Sequence, residues 1–206
     1  MSTFDVGNIP LEALLFQTGY LTVDKVRRLP GRLQFTLKYP NLEVQSSLNE
    51  VLLQSFSGNP AIPGPHIARL YDLLLDCDFA ELKCLFHAFY ASIPHQWQIN
   101  SPVAQYEGYY ASIFYSYFAT LGLDIRLEDS TNLGRIDMAV LFNAQVFIFE
   151  FKVVEQEPEG HALQQIKDKG YADKYRARGE PIHLIGVEFS KANRNVVGFE
   201  AETLSF

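Results

Sequence analysis

Asp137, Glu150 and Lys152 are two carboxylates and an ammonium set at intervals that a strand hairpin could bring together. Leu133 to Phe142 and Gln145 to Val154 both alternate as strands do, and Phe142-Asn143-Ala144-Gln145 is short enough to be the turn between them. A turn centred between Asn143 and Ala144 pairs residues whose numbers sum to 287, which sets Asp137 opposite Glu150. Ile136, Met138, Val140, Phe142, Phe147, Phe149, Phe151 and Val153 then share an apolar face suited to helices. Arg135, Asp137, Ala139, Leu141, Val146, Ile148, Glu150 and Lys152 share the other, apolar near the turn and charged at the far end. Opposed side chains of an antiparallel pair have Cβ atoms roughly 4.5–5.5 Å apart, where two carboxylates repel unless a cation or a shared proton relieves them. Oxygen ligands of this kind suit Mg²⁺ or Mn²⁺, and the Lys152 ammonium beside such an ion could orient a water or stabilise developing charge. A solvated salt-bridge patch with Arg135 is the alternative that the pattern alone leaves open.

Glu107 is the next candidate. Val103, Glu107, Tyr110, Phe114 and Phe118 follow helical spacing, so this carboxylate stands on an otherwise apolar stripe and needs a partner there. Its other reading is an acid near a helix N-terminus, where the macrodipole favours it.

Turn residues and hydrophobic periodicity mark out the helices and strands that carry these side chains. The chain divides near Pro94 to Pro102. Before that, helices are expected around Leu11 to Gly19, Leu42 to Phe56, His66 to Asp76 and Phe79 to Ser92, with a strand at Leu33 to Lys38 and a linker-like run from Ser57 to Pro65. After it, Ser101-Pro102 reads as the start of an aromatic-rich helix ending near Leu121. Strands follow at Leu123 to Asp129, Leu133 to Phe142 and Gln145 to Val154, then a polar helix from about Gly160 to Arg178, then strands at Pro181 to Phe189 and Val196 to Thr203. The expected domains are 1–95, mainly helical, and 101–206, in the order αβββαββ.

Composition narrows the classes. Of 206 residues, 48% are hydrophobic and 20% charged, which excludes disorder as the default. The 17 basic and 24 acidic residues give a net charge of −7, so any nucleic-acid site must be local. Cys77 and Cys84 show neither zinc-site nor disulfide spacing, and a reducing cytoplasm is the simplest setting. No signal peptide is evident, and the apolar run from Gly108 to Leu123 is too short and too rich in tyrosine for a membrane span. His66, His87, His95, His161 and His183 lack metal-ligand spacing.

Gly134-Arg135-Ile136-Asp137 followed by Glu150-Phe151-Lys152, with an acid on a preceding helix, resembles the PD-(D/E)XK nuclease superfamily. Ala162-Leu163-Gln164-Gln165-Ile166 and Tyr171 resemble the glutamine-bearing helix of a bacterial and archaeal branch in which the nuclease follows an ATPase-like domain. The likeness covers roughly residues 101 to 203 and departs at Ile136, where the family pattern has proline. It implies a restriction-endonuclease-like α/β (α+β) fold with an αβββαβ core and a mixed sheet between helices. It also implies a metal held by Asp137, Glu150, the Phe151 carbonyl and Glu107, water activation by Lys152, a supporting role for Gln165 with Gln164 as the competing choice, and 5′-phosphate products.

Lys167, Lys169, Lys174, Arg176 and Arg178 against Asp168 and Asp173 leave five minus two, a local +3, so Lys167, Lys169, Tyr171 and Lys174 are candidate nucleic-acid contacts or simply a solvated face. In the first half, Leu14 to Val23 and Leu37 to Val44 resemble the tail of the ATPase-like domain, but no phosphate loop exists to hydrolyse ATP. Lys25, Arg27, Arg28, Arg32 and Lys38 make a further local basic patch for nucleic acid or a partner. The reading is therefore a Mg²⁺- or Mn²⁺-dependent nuclease, with DNA favoured over RNA and an ATPase-like domain as a partner absent from this chain. Its rival is a catalytically silent module of the same fold that binds nucleic acid or protein.

Overall fold

A computed structural model describes residues 9–57, 63–93 and 107–206. The expected helix start at Ser101-Pro102, the stripe residue Val103, His95 and most of the linker lie outside those residues.

At the N-terminal end, α1 (Leu11–Gln17) precedes an antiparallel hairpin of β1 (Thr22–Leu29) and β2 (Arg32–Lys38), with Gly31 at φ +81° in the turn. Strand β1 is an addition to the sequence reading. Its apolar residues Val23, Val26 and Leu29 recur every third position, which is not strand-like, but a bulge between Val23 and Lys25 shifts the parity. Val23 thus opposes Leu37, and Val26 opposes Phe35.

Helices α2 (Leu42–Ser57), α3 (Pro63–Asp76) and α4 (Phe79–Ser92) follow. Asn41 Oδ1 accepts the Val44 N–H at the start of α2, and Asp78 Oδ1 accepts the Glu81 N–H at the start of α4, each satisfying a donor that a helix end leaves free. Helix α5 (Glu107–Thr120) leads into β3 (Asp124–Ser130), β4 (Arg135–Phe142) and β5 (Gln145–Val154). Helix α6 (His161–Asp168) crosses to β6 (Ile182–Ser190), and β7 (Asn195–Leu204) closes the sheet. The five strands lie in chain order, and only β5 and β6 are parallel. This mixed sheet between helices is the restriction-endonuclease-like arrangement expected from the sequence.

The polar helix expected to reach Arg178 stops at Asp168. Gly170 turns left-handed at φ +57°, and two 3₁₀ turns, Tyr171–Lys174 and Arg176–Arg178, carry the chain to Gly179 at φ +65°. Those turns bury Tyr171 and Tyr175, which a straight helix would not have brought onto the sheet in this way.

The sheet lies between two apolar layers. On one face, Met138, Val140, Phe147, Phe149, Phe151, Val187 and Phe189 pack with side chains of α2 to α5. Phe86 stacks on Phe114 with ring centroids 3.6 Å apart, and Phe114 and Phe118 lie on Phe151 and Phe149. On the other face Ala139, Val146, Ile148, Ile182 and Leu184 pack with Ile166, Tyr171 and Tyr175. Ile136 belongs to this second layer rather than beside Met138, so alternation along β4 breaks at Asp137. Among the described residues no helix is long and apolar enough to cross a membrane.

Helix α6 sits close on the sheet because Gly186 has no side chain. A Cβ there would lie 2.2 Å from the Leu163 nitrogen and 2.8 Å from its Cα, and backbone cannot rotate away. Gly186→Ala is expected to destabilise the fold by about 1–3 kcal/mol through overpacking, read as a lower urea midpoint at unchanged slope.

Candidate metal-dependent active site

The hairpin register is the one that the turn dictates, from Phe142↔Gln145 to Met138↔Phe149. There the ladder ends. The pairing of β3 with β4 also passes over Asp137, running from Leu127↔Met138 to Asp129↔Ile136, with the skipped residue Glu128 at φ +53°. In place of a further backbone pairing, an Asp137 carboxylate oxygen accepts the Phe151 N–H at 2.9 Å. The strands part at the aspartate, and its side chain ties β4 to β5.

Glu150 lies in the middle of the sheet, 1% exposed, with Gly186 of β6 as its parallel neighbour. Its Oε1 accepts from Lys152 Nζ at 2.9 Å and, in a shorter contact, from Gln165 Nε2 of α6. Its Oε2 is buried with no hydrogen-bond partner among the described residues. Burial and then the Asp137 charge push the Glu150 carboxyl up to about 7, against the pull of Lys152. Burial also raises Asp137, with the Phe151 N–H and Lys152 opposing it.

Lys152 Nζ also donates to the Phe151 carbonyl at 3.0 Å and stands 3.8 Å from Glu107 Oε2 at the start of α5. Burial disfavours its charge, but Glu150, Glu107 and Asp137 together hold its pKa above the ordinary value. Burial raises Glu107 in turn, against the opposing pull of Lys152. One ammonium thus faces three carboxyl groups, which leaves a deficit of positive charge. An open cleft of about 330 Å³ leads to this point, lined by Glu107, Ser112, Glu128, Asp137 and Phe151.

The donor set fits a hard divalent cation. Leaving a buried carboxylate oxygen unpaired costs about 1–3 kcal/mol or more, and a metal ion is one partner that removes the cost. Among the described residues no three His, Cys, Asp or Glu side chains form a ready cage. Mg²⁺ does not need one, since it commonly binds through one or two carboxylates and completes its shell with water and phosphate oxygens. Lys152 currently bonds Glu150 and the Phe151 carbonyl, so the ammonium partly answers the charge that a cation would answer more fully.

The structure brings Glu107, Asp137, Glu150, Lys152 and Gln165 together. Gln164 turns instead to Asp168, at 2.7 Å. Tyr171 is a correction to the candidate contacts: it is 2% exposed and packed in the core against Ile136 and Ile166, so it is unavailable to nucleic acid. A Cβ on Gly134 would lie 2.8 Å from the Tyr171 hydroxyl, so the glycine gives the ring room. Lys167 pairs with Glu202 at 2.7 Å and Lys174 with Asp129 at 2.5 Å, while Arg176 and Arg178 pair with Asp173 and Glu180. These pairs largely cancel the local +3; Lys169 is exposed. His183 is buried between Gln145 Oε1 and Thr203 Oγ1 at the opposite end of the hairpin, a structural placement. Glu188 of β6 was not singled out from the sequence. Its signal was that of the one acid in a mostly apolar strand, and every residue of β6 is buried.

Residues 105–199 match the sequence profile of the PD-(D/E)XK nuclease superfamily. The match runs from α5 into β7 and takes in all five clustered side chains, so residues 105–199 are similar to the PD-(D/E)XK nuclease superfamily. Over 204 residues the chain is also 62% identical to a protein of Azotobacter chroococcum mcd 1 described as an uncharacterized protein in the vnfD 5′ region. That match takes in 99% of this chain and 40% of the relative, so the chain spans about two-fifths of the length of the curated relative it matches. No solved structure matches it.

Proposed function

We propose that residues 101–206 form a Mg²⁺- or Mn²⁺-dependent nuclease that hydrolyses phosphodiester bonds, with DNA favoured over RNA. The observation that carries this reading is the buried Glu150 carboxylate, with one oxygen unpartnered and Asp137 and Lys152 beside it. Asp137, Glu150 and the Phe151 carbonyl would hold the ion, with Glu107 available to a second ion or to a bound water. A bound ion would supply Lewis-acid chemistry to the phosphate and to water. Lys152 would orient the attacking water and stabilise developing negative charge, while Gln165 fixes the Glu150 rotamer by donating to Oε1.

Residues 1–95 we read as the tail of an ATPase-like domain whose remainder is a partner. Leu11, Leu14 and Phe16 of α1 and Val26, Leu33 and Phe35 of the hairpin are all exposed, and a two-stranded hairpin is marginal in water without cover. The basic side chains of β1 and β2 flank that apolar surface, and Lys38 pairs with Asp24 at 2.9 Å. The two free thiols suit a reducing cytoplasm.

The test is incubation of the purified chain with end-labelled single- and double-stranded DNA and RNA in Mg²⁺, in Mn²⁺ and in EDTA. Cleavage in metal alone is expected. Tight binding with no cleavage in any metal would overturn the enzymatic reading in favour of a silent binding module.

A further inference from the structure

Glu188 is 2% exposed, yet its carboxylate is fully engaged. Oε2 accepts the N–H groups of Glu159 at 2.6 Å and Gly160 at 3.0 Å, and Oε1 accepts those of His161 at 2.7 Å and Ala162 at 3.3 Å. The N–H groups of Gly160, His161 and Ala162 are donors that the start of α6 would otherwise leave bare, and a negative charge there is further favoured by the helix dipole. A side chain from the neighbouring strand therefore caps the helix, since the residue at the N-cap of α6 is Gly160, φ +73°, which has no side chain to do so.

The surroundings are shaped for this carboxylate. Gly198 opposes Glu188 on β7, and a Cβ there would lie 2.9 Å from Glu188 Cβ and 3.0 Å from Oε2. Two residues earlier on β6, Gly186 lies beside Glu150 and admits Leu163 of α6. Helix α6 is thus pinned to β6 at its first turn and at Leu163, and the next inward polar side chain is Gln165, which reaches Glu150 Oε1.

We propose that Glu188 is a positioning residue of the site, holding the N-terminus of α6 so that Gln165 meets Glu150. The consequence for turnover rests on the nuclease reading above; the consequence for Gln165 does not. Glu188→Gln is the informative variant because it keeps the shape but replaces one acceptor oxygen with an NH₂ group. Two of the four backbone donors then face a donor, and the start of α6 must shift or fray.

Gln165 side-chain amide resonances report the geometry directly in the metal-free protein. In wild type they are expected to be displaced and slow to exchange. In Glu188→Gln they should move to the positions of a free glutamine amide while the core resonances stay, and Gly198→Ala should produce a smaller shift in the same direction. On metal-dependent cleavage, Glu188→Gln should lower kcat roughly 10–100-fold with little change in KM, the range found for residues that orient a ligand. In a Gln165→Ala background the same change should cost less than about 3-fold, because the two act through one contact. Should Glu188→Gln not fold, Glu188→Asp takes its place: it keeps both oxygens but is too short to hold all four donors. Unchanged Gln165 resonances in a folded Glu188 variant would overturn the proposal, as would losses that simply multiply in the double variant. A wild-type chain that cuts nothing would remove the nuclease reading and leave the amide measurement standing as the test.

Discussion

Asp137→Ala, Glu150→Ala and Lys152→Ala should each lose cleavage by about 10²–10⁴-fold while staying folded, the range for removing an acid–base or charge-stabilising group. The three losses should differ in kind. Removing Asp137 or Glu150 takes away metal donors, so higher metal concentration should recover part of the activity. Removing Lys152 takes away one of the two donors to Glu150 Oε1 and the ammonium at the Phe151 carbonyl, so metal should bind as well or better while the chemical step slows. Because the groups act as a unit, a double variant should be little worse than the poorer single one. The readout is single-turnover cleavage across a metal titration. Alanine variants that cut as fast as wild type would contradict the assignment.

In EDTA, the stability of the wild-type fold should fall as pH rises from about 4.5 to about 7. The folded chain holds the Glu150 proton up to about 7, whereas the unfolded chain releases it near 4.5. Between those values the folded state binds more protons, so raising pH favours unfolding, by up to about 2–3 kcal/mol in total. Asp137, also raised by burial, adds to the loss from a lower starting pH. Glu188 has the opposite sign: burial would raise its pKa, but four backbone donors hold it below the ordinary value, and its stabilisation disappears only in acid. Comparing wild type with Glu150→Gln isolates the first effect, since the amide does not titrate. Urea midpoints from pH 5 to 8 should converge at the acid end and separate in favour of Glu150→Gln at the alkaline end. Midpoints that separate the other way would mean that the buried carboxylate is stabilising without metal.

The hairpin was legible because a two-residue turn and period-two alternation leave one register, and Asn143 and Ala144 adopt left-handed φ values of +51° and +54° in that turn. Glu150 and Lys152 share the expected face for the same reason. Asp137 could be named but not oriented: the break in alternation that sends Ile136 to the α6 side comes from the splaying of β4 from β5 and from Glu128, and neither leaves a local pattern. The truncation of α6 was written in Gly170 but outweighed by the polar periodicity around it. Hairpin strand β1 was hidden because its bulge converts a period of three into a shared face. Glu188 was missed because its partners are backbone N–H groups, which carry no residue type. The common core of α2 to α5 with the sheet was likewise beyond the pattern, since periodicity tells that a face is buried but not against what.

If Glu150 belongs to a divalent-metal site, calorimetric titration of the metal-free chain with Mn²⁺ at pH 7.5 will show it, with wild type and Glu150→Gln side by side. Wild type should bind Mn²⁺ at one principal site, and Glu150→Gln should bind it about 10-fold or more weakly, because both an anionic ligand and the repulsion that the ion relieves are gone. Equal affinity in the two proteins would place the metal away from Glu150.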